Sequence, residues 1–381
     1  MSHHLHIISL DIPFPVDYGG VVDPFYKLQA LSEAGIKIHL HCFSRNRPEA
    51  AELNQFCVEV NYYVREKGHR AFSNKLPYIV GSRANLELLE NLLKDDHPIL
   101  MEGIHCTYLM LDPRFRNRKL VLRLHNVEYR YYKLLFHSER SLYKKMYLLH
   151  ESKLLKKYEA WIASQQLMIL AVSEEDVRIY REEFGARNIA HLPVFLPYTE
   201  VKSPEGMGCF CLYHGNLSIG ENDRAARWLI REVFNDLKVP FVVAGKDPKP
   251  SLEKLAKKQR HTCLVANPGE DEMQDMIAKA QIHILPSYNN TGVKLKLLNA
   301  LYNGRHCVVN ESTVKGSGLE ATCHIGTNAD AFKSIIAQLY HQPFREEELK
   351  LRSHLLCDQF RNKENAGRLI EWIWRGETLN T

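Results

Sequence analysis

The stretch Ile284–Asn310 reads ILPSYNNTGVKLKLLNALYNGRHCVVN and carries, in order, the signals of strand, loop, helix and strand. An apolar run (Ile282, Ile284, Leu285) stops at Pro286-Ser287, a strand end followed by a breaker. A polar loop from Ser287 to Gly292 leads into apolar residues at helical spacing: Val293, Leu295, Leu297, Leu298 and Leu301. The helix is expected to reach Tyr302, with Asn303-Gly304 as its C-cap, and a short strand from Cys307 to Asn310 follows. Strand–loop–helix–strand is the repeating unit of a parallel α/β sheet. Gly292, Lys294 and Lys296 fall at the start of the helix. Free N–H groups, the helix dipole and two cations there make an anion site, most naturally for a diphosphate. An ordinary capped surface helix carries the same pattern, so the segment leaves both readings open.

Composition narrows the rest. A chain of 381 residues exceeds one ordinary core, so two domains are expected. With 45% hydrophobic and 25% charged residues it reads as globular. A net charge of +5 permits an anionic substrate or membrane surface without demanding nucleic acid. Nine scattered cysteines without a Cys-x-x-Cys pair fit a reduced, cytoplasmic setting. No apolar run is long enough to span a bilayer. The start, Met1 to His6, passes straight into strand-like Ile7–Leu10, and no signal peptide is expected. His3, His4 and His6 are read as strand-edge or surface residues in preference to metal ligands.

In the first half, a strand over 5–10 leads into Asp11–Gly20, a loop with two prolines and a Gly19-Gly20 pair that lets backbone approach a ligand. Helix is expected from Pro24 to Ala34, then strand over 37–43, a Rossmann-type opening. No Gly-x-Gly-x-x-Gly is present, which argues against NAD or FAD. Further strands are expected near 57–64, 98–101 and 120–124. Two of their ends are polar: Glu102-Gly103-Ile104-His105 and His125-Asn126-Val127-Glu128. A strand-end histidine is equally a structural hydrogen-bonder. From Tyr129 to Gln166 the chain is aromatic, basic and helical, with Leu142, Met146, Leu149, Leu154, Leu155 and Trp161 at near-helical intervals. Arg130, Lys133, Arg140, Lys144, Lys145, Lys153, Lys156 and Lys157 load its outer face, which is read as a solvated face or a membrane-surface patch. After a strand over 167–172, Ser173 is a predicted N-cap with Asp176 three residues on. A last strand over 190–193 precedes a proline-rich linker over 193–204.

The second half opens again as a Rossmann unit. A strand over 210–214 runs into Gly215-Asn216-Leu217-Ser218-Ile219-Gly220-Glu221-Asn222-Asp223, then helix over 224–234. The strand over 240–244 ends in Gly245-Lys246-Asp247-Pro248, and helix over 272–280 returns to the opening segment. Gly316-Ser317-Gly318 is read as an ordinary turn. Leu369, Ile370, Trp372 and Trp374 mark the tail from 365 to 375 as an amphipathic helix.

These segments together resemble GT-B glycosyltransferases, glycosyltransferase family 4 in particular. The Pro…Gly-Gly loop, the His-Asn-x-Glu strand end, the His-Gly-Asn…Asn-Asp-x-Ala-x-x-Trp stretch and the Gly-Lys-Asp-Pro turn all have counterparts there. The family usually carries two glutamates separated by seven residues, the second within Leu-Glu-Ala. Here Thr291 stands at the first position and Asn299, in Leu298-Asn299-Ala300, at the second. What remains resembles a subset written Thr-Gly-Val-Lys-x-Lys. Asn216 and Asn222 stand where many members have Arg and Lys, and Arg224 is a candidate substitute.

The resemblance implies an α/β GT-B fold, two Rossmann-like domains with parallel sheets facing across a cleft. Residues 1–195 would be the acceptor-side domain and 205–359 the donor domain, with a helix over about 360–381 returning to the first. It implies a retaining glycosyltransferase that moves sugar from a nucleotide-diphosphate sugar to a glycan or lipid-linked acceptor in cell-surface polysaccharide or glycoconjugate synthesis. His125 would be the catalytic-side residue over the sugar. Gly19, Gly20, Gly215, Asn216, Lys246, Thr291, Gly292, Val293, Lys294, Lys296 and Asn299 would bind the donor, the lysines neutralising the leaving diphosphate. No metal or other cofactor is expected. A cytoplasmic location, with peripheral contact at the inner membrane surface, fits a lipid-linked acceptor, and nucleic-acid binding is not expected. The absent glutamates motivate a second reading, a catalytically silent nucleotide- or sugar-binding protein. A third, a GT-B epimerase, needs cleft carboxylates for which no convincing set is visible.

Overall fold

A computed structural model describes residues 3–44, 46–66, 74–139 and 141–375. Met1, Arg140 and residues 376–381 of the expected last helix lie outside them. The chain divides into two compact units. The first comprises Met1–Pro197, Thr291–Val293 and Phe360–Thr381, and the second Tyr198–Asn290 and Lys294–Gln359.

The first unit is built on seven parallel strands: β1 (His4–Ser9), β2 (Lys37–Ser44), β3 (Glu59–Val64), β4 (Ile99–Glu102), β5 (Leu120–Leu124), β6 (Met168–Ala171) and β7 (Ile189–His191). Their order is β3-β2-β1-β4-β5-β6-β7, so the winding reverses at β1 and the C-terminal ends of β1 and β4 flank the switch point. The central strands are near-continuous apolar runs, as burial of both faces requires. Gly19 and Gly20, expected in a loop, instead form the first turn of the helix Gly19–Glu33, which tolerates Pro24. The last helix, Asn362–Trp374, packs on that first helix. Its Ala366, Leu369 and Ile373 join Leu28 and Leu31 in one core cluster. Asn362 ties its start to the chain by accepting from the Leu196 N–H (3.0 Å) and donating to the Leu196 carbonyl (2.8 Å).

The basic-aromatic stretch is two helices, Glu128–Ser138 and Leu142–Ser164, packed on each other rather than one run. The break explains why the apolar spacing fits a helix only in part. Leu155 is buried, but Leu142, Tyr143 and Met146 are 73–84% exposed. Glu159 caps the first of these helices across space, accepting from the N–H groups of Glu128 and Tyr129 at 2.9 Å each. Ser173 accepts from the Asp176 N–H (3.1 Å) and is the N-cap its spacing predicts.

The second unit repeats the plan with six parallel strands: β8 (Cys211–His214), β9 (Phe241–Gly245), β10 (Thr262–Ala266), β11 (Ile282–Ile284), β12 (His306–Val309) and β13 (His324–Ile325). The order is β10-β9-β8-β11-β12-β13, with the reversal at β8. The stretch Ile284–Asn310 folds as strand, loop, the helix Leu295–Asn303 and strand. Gly304 does close that helix, but its backbone is extended rather than left-handed. Its glycine is required by a close approach instead: a Cβ there would stand 1.9 Å from His283 Nε2. The helix expected over 224–234 begins earlier, at Gly220, and widens into a π turn over Leu229–Val233.

Candidate active site

In the first unit the strand ends converge on a buried ionic cluster. Asp23 and Lys27 come from one face of the helix Gly19–Glu33, Glu102 ends β4, and Arg123 and His125 stand at the end of β5. Lys27 Nζ lies 2.7 Å from Asp23 Oδ2 and 2.8 Å from Glu102 Oε1. Arg123 grips Asp23 with Nε and Nη2 at 3.1 and 3.0 Å and donates to the Leu192 and Pro193 carbonyls. Burial alone would raise the Asp23 pKa. Arg123, then Lys27 and His125, outweigh it and hold the carboxyl well below its usual range. Glu102 is likewise lowered against its burial, by Lys27 and by the His125 hydrogen bond. Two carboxylates, Asp23 and Glu102, face two cations, Lys27 and Arg123.

His125, the predicted catalytic residue, is one member of this cluster. Its Nε2 donates to Glu102 Oε2 at 2.9 Å, and its Nδ1 lies 3.9 Å from Asp23 Oδ2. The imidazole is thus oriented by a buried carboxylate. Asp23, Glu102 and His125 have the spacing of a metal-ligand set, but Lys27 and Arg123 already occupy the carboxylates. Thr291, Gly292 and Val293 group with this unit. Gly292 has φ +65°, and a Cβ would meet Asn126 Oδ1 at 2.5 Å and the His125 carbonyl at 2.6 Å. Its N–H donates to Asp176 Oδ2 (3.0 Å). Beside it burial raises the Glu128 carboxyl to about 8, helped by Glu159 and Asp176, while burial carries Glu159 to about 7.

In the second unit Lys296 reaches the end of β8 and the first turn of the helix that follows it. Its side chain enters from the first turn of the helix Leu295–Asn303, where Lys294 is the N-cap residue and no side chain caps the turn. Lys296 Nζ lies 3.1 Å from Asn222 Oδ1, 3.5 Å from Tyr213 Oη and 4.9 Å from the centre of the Tyr213 ring. Among the described residues no carboxylate reaches it within ion-pair distance. Burial lowers its pKa to about 8; Glu221 opposes this and Lys294 adds to it. Glu221 is committed elsewhere, accepting from Ser287 Oγ (2.6 Å) and from the Tyr288 and Asn289 N–H groups (3.0 and 3.2 Å). Arg224 stacks 4.2 Å over Tyr288.

The remaining predicted donor residues divide by role. Gly215 sits at φ +154° against the Asn222 side chain, and the Gly245 backbone comes so near that a Cβ would stand 1.8 Å from the Gly215 carbonyl. Asn216 builds the loop: its Oδ1 accepts from Ser218 N–H (3.0 Å) and its carbonyl accepts from Asn222 (2.9 Å). Lys246 is exposed beside that turn. Asn299 points its Oδ1 to Asn303 one turn on (2.9 Å). Gly215, Asn216, Lys246, Lys294, Lys296 and Asn299 therefore belong to the second unit, and Gly19, Gly20, His125 and Thr291–Val293 to the first. Asp23, Lys27, Arg123, Tyr213 and Glu221 were missed. An acid and a lysine four apart in an apolar helix, and an arginine inside Val-Leu-Arg-Leu, were the signals for the first three.

Residues 209–342 match the model of the glycosyl transferases group 1 family. A protein of Klebsiella pneumoniae described as an uncharacterized 44.6 kDa protein in the cps region is 27% identical over 330 residues, 82% of this chain and 84% of that one. Sucrose-phosphate synthase from Thermosynechococcus elongatus has a similar structure, with TM-score 0.71 at 13% identity over 98% of this chain and all of that one. A mutant of S. aureus TarM solved with fondaparinux, alpha-GlcNAc-glycerol and UDP aligns at TM-score 0.56 and 14% identity, over 76% of this chain and 58% of that one. The two units of parallel sheets are the GT-B fold, and the match to group 1 glycosyl transferases covers residues 209–342. The family match itself covers most of the second unit, where Lys296 lies.

Proposed function

We propose that the chain is a retaining glycosyltransferase that takes a sugar from a nucleoside-diphosphate sugar and passes it to a glycan or lipid-linked acceptor in cell-surface polysaccharide or glycoconjugate synthesis. The observation that carries the donor half is Lys296: a half-buried ammonium held by an amide, a phenol and a π face, with no carboxylate among the described residues, at an uncapped helix N-terminus. A buried charge without a counter-ion is costly, and a diphosphate supplies one where the helix dipole also favours it. Lys294 and the Gly215–Asn216 loop at the adjoining strand end would complete the cradle, and no metal is assigned to the leaving diphosphate. His125, held by Glu102, would act on a hydroxyl of the transferring sugar. The cps-region relative supports a polysaccharide pathway. The exposed Leu142, Tyr143 and Met146 among lysines support peripheral contact with an anionic membrane surface.

Thermal shift against UDP, GDP, ADP and their sugar conjugates tests this reading, with wild type beside Lys294→Ala. Stabilisation by one nucleotide, lost in the variant, is expected. No response to any of them would leave the reading without its donor site.

A further inference from the structure

A stack of histidines stands at the N-terminal edge of the first unit's sheet, away from the strand ends that carry His125. On one face of β1 and β2, His6 Nδ1 and His41 Nε2 are 2.9 Å apart, His6 Nε2 reaches Asp95 at 3.0 Å, and His41 Nδ1 reaches Tyr63 Oη at 2.9 Å. Asp95 must accept, which fixes every proton in this chain: His6 Nε2–H donates to Asp95, His41 Nε2–H to His6, and Tyr63 to His41. Burial lowers His6 to about 4 and His41 to about 3, so both stay neutral and their hydrogen bonds are complete.

The outer tier differs. His39 Nδ1 lies 3.0 Å from Glu59 Oε1 and donates to it, so in the neutral ring Nε2 is the nitrogen with the lone pair. That lone pair faces His4 Nδ1, 2.9 Å away. His97, on the turn before β4, lies over the His4 ring with centroids 4.7 Å apart. One ring nitrogen from each of His4, His39 and His97 falls within 4.8 Å of the others. Two nitrogens sharing a tetrahedral zinc ion at about 2.0–2.1 Å stand roughly 3.3 Å apart, so His4 and His39 need open by only a few tenths of an ångström. His97 is one-third exposed, and its Nε2 lies 4.0 Å from Asp95 Oδ2. Glu59 on His39 is the carboxylate partner that orients a ligating imidazole and raises its basicity. The other charges facing the triad are Asp95, held by Arg118 at 2.7 Å, and Lys37.

We propose that His4, His39 and His97 form a binding site for a divalent transition-metal ion of the zinc type, with water as the fourth ligand. The ion would clamp the start of β1 to β2 and to the turn leading into β4, a stabilising role separate from sugar transfer. The second unit's His306, His324 and Glu348 are a poorer set, because His306 Nε2 already pairs with the Gln342 carbonyl and Nδ1 with Glu348.

Zinc chloride titrated calorimetrically into the metal-stripped full chain at neutral pH tests the assignment, with thermal unfolding read in parallel. Wild type should take up one ion per chain and melt higher with it. His97→Ala and Glu59→Gln, both at partly exposed positions, should bind roughly 10- to 100-fold more weakly while folding normally. Absence of zinc uptake by wild type overturns the proposal. So does unchanged affinity in His97→Ala, or a loss seen only in His306→Ala.

Discussion

A charge buried in the first unit is tolerated only because its neighbours answer it. Asp23 takes three donors from Arg123 and the Phe195 N–H while Lys27 bridges it to Glu102. Removing one member of such a network strands the others in a low dielectric, so Asp23→Ala should lower stability by about 3–5 kcal/mol, read as a denaturant midpoint. A destabilisation near zero would mean the cluster is solvated. Glu128 sits on the opposite side of the argument, since burial lifts its folded-state pKa to about 8, above the 4.5 of the free group. The protonated form is the favoured one in the fold. Its stabilising contribution is full below pH 4.5 and declines until pH passes about 8. Glu128→Gln should therefore flatten the fall of Tm with pH across that window and raise Tm at its upper end; parallel curves for the two proteins would refute the assignment.

At the scale of elements, the sheet order follows from features visible in the sequence. Apolar runs such as Leu120–Leu124 ending in His-Asn, and a helix closed by Asn303-Gly304, are local signals, and the structure keeps them within a residue or two. The errors arose where long-range contact overrules local chemistry. Gly19-Gly20 reads as a loop, yet it winds into helix. Gly304 reads as a left-handed cap, yet it is small because His283 passes beneath it. The partners of Lys296 were equally hidden, since Tyr213 and Asn222 reach it across 83 and 74 residues of chain. The Leu142–Ser164 helix shows the reverse case, because its expected apolar stripe is real but only its second half is buried. The exposed first turns, carrying Leu142, Tyr143, Met146, Lys144 and Lys145, should bind vesicles containing anionic lipid. Tyr143→Ser with Met146→Ser should reduce co-sedimentation several-fold while leaving Tm unchanged; equal sedimentation of variant and wild type would assign the patch another role.

For the whole molecule, two units of the same winding each present polar groups at their strand ends, and the match to group 1 glycosyl transferases falls on the second. None of the described helices is long and apolar enough to cross a membrane. Thr291 and Asn299 stand where the resemblance expects glutamates, and in the second unit Lys296 is half-buried with no carboxylate within ion-pair distance among the described residues. On this account Lys296 does the electrostatic work at the donor diphosphate. The direct measurement is calorimetric titration of UDP, GDP and ADP into wild type and Lys296→Met near pH 7, repeated on wild type near pH 9. One nucleotide should bind wild type, at least about tenfold more weakly in the variant, as loss of a charge-assisted contact requires. Because the Lys296 pKa lies at about 8 and the diphosphate needs the ammonium, wild-type affinity should also fall as pH rises through that value. Equal affinity in Lys296→Met, with no change between the two pH values, would contradict the account.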